Sequence, residues 1–92
     1  MFVLDYTTQF RKDLKKAHKQ GLSKERITKV LDQLAQNGQV EKVHRPHILS
    51  GNWSGFWECR IAADWLLIYL PEDNIKVVRL IRTGTHAELL KK

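Results

Sequence analysis

The chain has 92 residues, 16 lysines and arginines against 10 acidic side chains, 42% hydrophobic residues and 28% charged ones, which excludes a disordered tail and, at this length, a second domain. One domain over residues 1–92 with one small core is expected, and there is no room for a deep cofactor cleft. No apolar run approaches the ~18 residues of a membrane helix. Met1–Asp5 carries no basic and then apolar leader, and the single Cys59 excludes an internal disulfide and a cysteine-based zinc site. The expected home is a reducing cytoplasm. The net +6 is uneven: residues 1–46 hold ten basic and five acidic side chains, residues 47–92 six and five. Such an excess points to a polyanionic partner, nucleic acid or an acidic protein.

Phe2, Val3, Leu4 and Tyr6 predict a short opening strand. Thr7 or Thr8 caps a first helix, in which Phe10, Leu14 and Ala17 share one face while Arg11, Lys12, Lys15, Lys16 and Lys19 cover the rest. Gly21 stops it. Ser23 caps a second helix with Ile27, Val30, Leu31 and Leu34 on its apolar face, ended by Gly38. From Trp53 to Ile61 the period becomes that of a strand, with Trp53, Trp57, Cys59 and Ile61 on one face and Phe56, Glu58 and Arg60 on the other. Asp64–Leu70 is nearly all apolar and predicts a central strand. Pro71–Asn74 is a turn, Ile75–Arg82 a further strand, and Thr83-Gly84-Thr85 its break. Thr85 and Glu88 form a capping box that starts a short last helix at His86. The predicted class is α+β: a β-α-α-β-β-β order with a terminal helical turn, two helices covering one face of an antiparallel sheet and the other face, or part of it, left open for a partner.

No metal-ligand spacing, glycine-rich phosphate loop or nucleophile elbow is present. What remains is a cluster of histidine, carboxylate and arginine in the second half: His47, Arg60, Asp64, Arg82 and His86. Strand arginines such as Arg60 and Arg82 require either a carboxylate partner or a phosphate. By alternation Arg79 falls on the face opposite Arg82, solvated or paired with the helices. Trp53 and Phe56 at a strand entrance are candidate stacking surfaces for bases, whereas Trp57 and Trp65 read as core. Lys12, Lys15, Lys16 and Lys19 form either a solvated face or a contact to RNA backbone.

Three segments carry a resemblance: Pro46-His47-Ile48-Leu49-Ser50-Gly51-Asn52-Trp53-Ser54-Gly55-Phe56, Asp64-Trp65-Leu66-Leu67-Ile68-Tyr69 and, most specific, Arg82-Thr83-Gly84-Thr85-His86. In order and spacing the chain resembles the YafQ branch of the RelE/ParE toxin superfamily. The resemblance implies a RelE-like fold and the toxin of a type II toxin–antitoxin pair, which cleaves messenger RNA in the ribosomal A site with no metal or cofactor. It also implies a cognate antitoxin of the DinJ/RelB, ribbon-helix-helix kind, and operator DNA bound only through the antitoxin complex. By the same resemblance His47, Asp64, Arg82 and His86 match active-site positions. Arg60 stands where YafQ-like toxins have a second histidine, and Leu90 where they have a phenylalanine. The alternative within the fold is a ParE-like, non-catalytic poison of gyrase.

The chemistry implied is attack by the RNA's own 2′-hydroxyl. Imidazoles suit the two proton transfers, and guanidinium groups suit the phosphorane charge. His86, at the start of the last helix, is the first candidate, favoured as neutral imidazole by the positive helix end. His47 is the second. Asp64 is an orienter or auxiliary base, and Arg60 and Arg82 are phosphate clamps. Lys12, Lys15, Lys16, Lys19, Trp53 and Leu90 are the expected RNA contacts.

Overall fold

The computed structural model describes residues 1–89. Its elements are β1 (Val3–Tyr6), α1 (Thr8–Lys19), α2 (Lys24–Asn37), β2 (His47–Ile48), β3 (Trp57–Ala62), β4 (Trp65–Glu72), β5 (Val77–Thr85) and a single turn, α3 (His86–Leu89). Short 3-10 turns occupy Lys42–His44 and Gly51–Trp53. The five strands form one sheet in the order β1-β5-β4-β3-β2. The expected α+β architecture is found, with the predicted antiparallel run of β3, β4 and β5. β1 joins it as the parallel neighbour of β5, because the αα unit carries the chain across the sheet before it returns.

Thr7 is the cap of α1. Its hydroxyl accepts the Phe10 N–H (3.2 Å) and donates to the Leu80 carbonyl (2.6 Å), so the cap also ties the helix to β5. α2 ends on Gly38 at φ 73°. A β-carbon there would also lie 2.5 Å from the Phe2 ring, so glycine is required for both turn and packing. Phe10, Ala17, Ile27, Val30, Leu31 and Leu34 pack from the helices onto Cys59, Ile61, Leu67, Tyr69, Val78 and Leu80, forming the main core on one face of the sheet.

Of the two expected arrangements of the opposite face, the partly open one is found. Leu66, Ile68 and Leu89 are buried there with Leu49, Trp53, Phe56 and Ile81 packed against them. The Gly51–Trp53 turn and Gly55 (φ 91°) fold the 49–56 segment over the sheet, so β3 starts only at Trp57 and not at Trp53. Thr83-Gly84-Thr85 does not break β5, which runs on to Thr85. Pro71 lies inside β4, on the stretch beyond its pairing with β3 at Tyr69, where one side of the strand is free and a proline is tolerated. The register of β4 and β5 shifts between Ile68 and Tyr69, leaving Ile81 as the extra residue. This bulge overturns the simple alternation drawn from Arg79 to Arg82. Arg79 is paired neither with the helices nor with solvent alone: it binds Asp5 (2.9 Å) and Glu72 of the flanking strands.

Candidate active site

Arg45, His47, Glu58, Arg60, Leu66 and His86 line one groove of about 420 Å³, inside the ~300–1,000 Å³ range of small-ligand pockets. Strand geometry assembles it. His47 pairs with Glu58 across β2 and β3, and side chains directly opposite one another stand on the same face. Arg60 is two residues further along β3 on that face, opposite Leu66 of β4. His86 follows directly on Thr85, which pairs with Trp65 at the same end of the sheet. The two imidazoles, 39 positions apart by their numbers, therefore open onto one cleft.

His47 is held at both ring nitrogens. Nδ1 lies 3.0 Å from the Arg45 carbonyl and Nε2 lies 3.2 Å from Glu58 Oε1. Both neighbours are acceptors, so a ring that fills both bonds carries a proton on each nitrogen. Glu58 is 4% exposed, and its second oxygen, Oε2, has no hydrogen-bond partner among the described residues. The predicted facing holds, with Glu58 and Arg60 in the groove and Cys59 and Ile61 in the main core, but sequence reasoning gave Glu58 no role. The available signal was an acidic residue inside a strand otherwise rich in aromatic and apolar side chains. It also missed Arg45, whose left-handed backbone (φ 51°) aims its carbonyl at His47. His44 steadies this corner by placing Nδ1 2.9 Å from the Arg60 carbonyl, where β3 has run past the two residues of β2.

His86 opens α3. The capping box is present: Thr85 N–H donates to Glu88 Oε1 (2.9 Å) and Glu88 N–H to Thr85 Oγ1 (3.2 Å). Asp64 does not touch the His86 ring. Its Oδ1 accepts the His86 backbone N–H at 3.4 Å, tying the β3–β4 turn to the start of α3. Four residues supply little macrodipole. What sets His86 apart is an imidazole with no hydrogen bond among the described residues, facing the groove.

Arg82 lies outside the groove lining. Its Nε and Nη2 grip Asp13 of α1 at 2.6 and 3.2 Å, and the same carboxylate accepts the Thr83 N–H at 3.2 Å. β1 stops pairing with β5 at Leu80, so Asp13 closes the open edge beyond it. The Asp13 hydrogen bond holds the guanidinium of Arg82 above its ordinary pKa, with desolvation opposing. Of the two reasons a strand arginine needs, the carboxylate partner is the one present. Sequence reasoning missed Asp13, which is 8% exposed.

Lys16 is also engaged, its Nζ 2.8 Å from Glu88 Oε2. Lys12, Lys15 and Lys19 are exposed on α1. Trp53 packs in the smaller cluster, edge-on to Phe56 with ring centroids 5.5 Å apart. Leu90 lies outside the described residues. Among the described residues no three His, Cys, Asp or Glu side chains gather closely enough to hold a metal ion, and His47 with Glu58 offers only two donors. No helix among them is long and apolar enough to cross a membrane.

Comparison with known proteins identifies the family. The family described as "Bacterial toxin of type II toxin-antitoxin system, YafQ" matches residues 2–91. The mRNA interferase toxin YafQ of Escherichia coli (strain K12) is 34% identical over 87 residues, covering 94% of this chain and 92% of that protein. The fold matches YafQ in the crystal structure of the E. coli DinJ–YafQ complex, with a TM-score of 0.84 and 33% identity over 97% of this chain and 98% of that one. It also matches a metal-bound toxin from Helicobacter pylori, with a TM-score of 0.86 and 31% identity over 97% and 99% of the two chains. The chain belongs to the YafQ family of bacterial type II toxin–antitoxin system toxins.

Proposed function

We propose that this toxin is a cytoplasmic, ribosome-dependent messenger RNA endonuclease that works without a metal and is silenced by an antitoxin of the DinJ kind. The observation that carries the reading is the His47–Glu58 pair in one groove with Arg60 and His86. Kinship with an mRNA interferase and with a toxin crystallised with DinJ supports it.

In this reading His86 takes the proton from the 2′-hydroxyl. The 2′-oxygen bonds to phosphorus, the phosphorus–O5′ bond breaks, and His47 turns its Nε2–H from Glu58 Oε1 to the departing 5′-oxygen and gives up that proton. The products are a 2′,3′-cyclic phosphate and a 5′-hydroxyl. Glu58 Oε1 and the Arg45 carbonyl, one at each ring nitrogen, fix the orientation of His47. Arg60, on the same face and fixed in charge, clamps the phosphate in the transition state. Asp64 sets the start of α3 through the His86 N–H. Arg82 braces the strand leading to His86 through Asp13, and its Nη1 remains the nitrogen with which to meet a phosphate. Lys12, Lys15 and Lys19 serve as contacts to ribosomal RNA backbone, with Trp53 and Leu90 as apolar contacts.

The test is cleavage in a reconstituted translation system. Wild-type protein should cut message and leave 5′-hydroxyl ends, while His47→Ala and His86→Ala should each lose about 10²–10⁴-fold in rate. Full activity of either variant would remove that histidine from the mechanism, and intact message with inhibited gyrase would replace the reading altogether.

A further inference from the structure

α3 is one turn long, too short to hold itself together in water, yet it carries His86. Leu89 is buried at 6% exposure in the smaller cluster, the capping box closes the turn on Thr85, and Asp64 accepts the His86 N–H. The remaining tie comes from far away in sequence: Lys16 of α1 reaches Glu88 at 2.8 Å. Glu88 thus places one carboxylate oxygen on the end of β5 and the other on α1. β5 is fitted to this arrangement, since a β-carbon at Gly84 would lie 2.9 Å from Glu88 Oε1 and 3.3 Å from Leu89 Cδ2. The Glu88 carboxyl is held below its ordinary pKa, first by Lys16 and then by the Thr85 N–H.

We propose that Lys16 and Glu88 are a positioning pair for His86, tethering the C-terminal turn to α1 and fixing where the imidazole stands over the groove. The inference rests on the assignment of proton transfer to His86. It moves Lys16 from the RNA-contacting face to the support of the site. An exposed ion pair adds little to global stability, whereas a displacement of about 1 Å at a reacting group costs up to about 10²-fold in rate. The signature is therefore a loss of kcat in a protein that melts normally.

Lys16→Met and Glu88→Gln should each lower kcat about tenfold with KM within about twofold. The double variant should be no worse than either single one, and Lys16→Arg should keep most of the activity. In both single variants the ring carbon-bound proton signals of His86 should shift or broaden in NMR spectra while those of His47 stay in place. If Lys16→Met raises KM at unchanged kcat and Glu88→Gln lowers KM by freeing the lysine, Lys16 is an RNA contact and the proposal falls. It falls equally if both variants leave kcat and the His86 signals untouched. A wild-type chain that cuts no RNA would defeat the catalytic reading instead, and the ring signals alone would then decide whether the tether holds His86.

Discussion

At the scale of single residues, burial decides which charges matter. His47 is more than half exposed but leans on a carboxylate that is almost fully covered. Glu58→Gln keeps the shape and removes the charge facing Nε2. We expect kcat to fall at least about tenfold, within the range of general acid–base effects, with the fold intact by circular dichroism; an unchanged kcat would make Glu58 a bystander. Asp13 does different work. Asp13→Ala strips Arg82 of its partner and leaves the Thr83 N–H unsatisfied, so about 2–3 kcal/mol of stability should be lost in urea unfolding. Cys59 is 1% exposed, and burial, with the Glu58 charge adding, pushes its thiol up to about 12. It should therefore ignore thiol reagents at pH 8 until the protein unfolds.

At the scale of elements, α3 is the part most dependent on its surroundings. Leu89→Ala removes a buried side chain and should cost about 2–3 kcal/mol, with a larger loss of cleavage than of stability because His86 shares the turn. The turn should also respond to acid. The Glu88 carboxyl has its pKa lowered below 4.5 in the folded chain. Its contribution is thus complete above that value and lost as pH falls through the folded pKa. Protection of the His86–Leu89 amides, measured against their intrinsic exchange rates at each pH, should fall as pH drops below about 4.5, while that of the β4 amides is kept. β2 and the Lys42–His44 turn show the same dependence at the other edge, where two strand residues and the His44–Arg60 bond hold the corner that carries His47.

At the scale of the molecule, the helices and the candidate groove occupy opposite faces of one sheet. The main core lies under α1 and α2, and the groove opens on the other side beside the smaller cluster. α1 nonetheless reaches both faces, because it passes the open edge of β5 and sends Asp13 and Lys16 toward the strand and turn that carry His86. That leaves Lys12, Lys15 and Lys19 as the basic surface of the helix. Replacing the three with methionine should weaken ribosome binding and flatten its salt dependence by about one unit of log–log slope for each lost phosphate contact, with cleavage at saturating ribosome little changed. A salt slope equal to that of wild type would place the RNA contact on another surface.

Local rules settled much of this protein in advance. The period of Phe10, Leu14 and Ala17, the stop at Gly38, the apolar run at β4 and the Thr85–Glu88 box depend on neighbours a few residues away, and such signals survive in one dimension. Identity was legible as well, through the segments around His47, Asp64 and His86. The partners of those residues were not legible. Glu58 beneath His47, Asp13 on Arg82 and Lys16 on Glu88 are set by strand register, by the bulge at Ile81 and by the passage of α1 along an open edge. Whether an arginine or lysine meets RNA or a carboxylate depends on what the folded chain brings within about 3 Å of it, and that distance exists only once the sheet has closed.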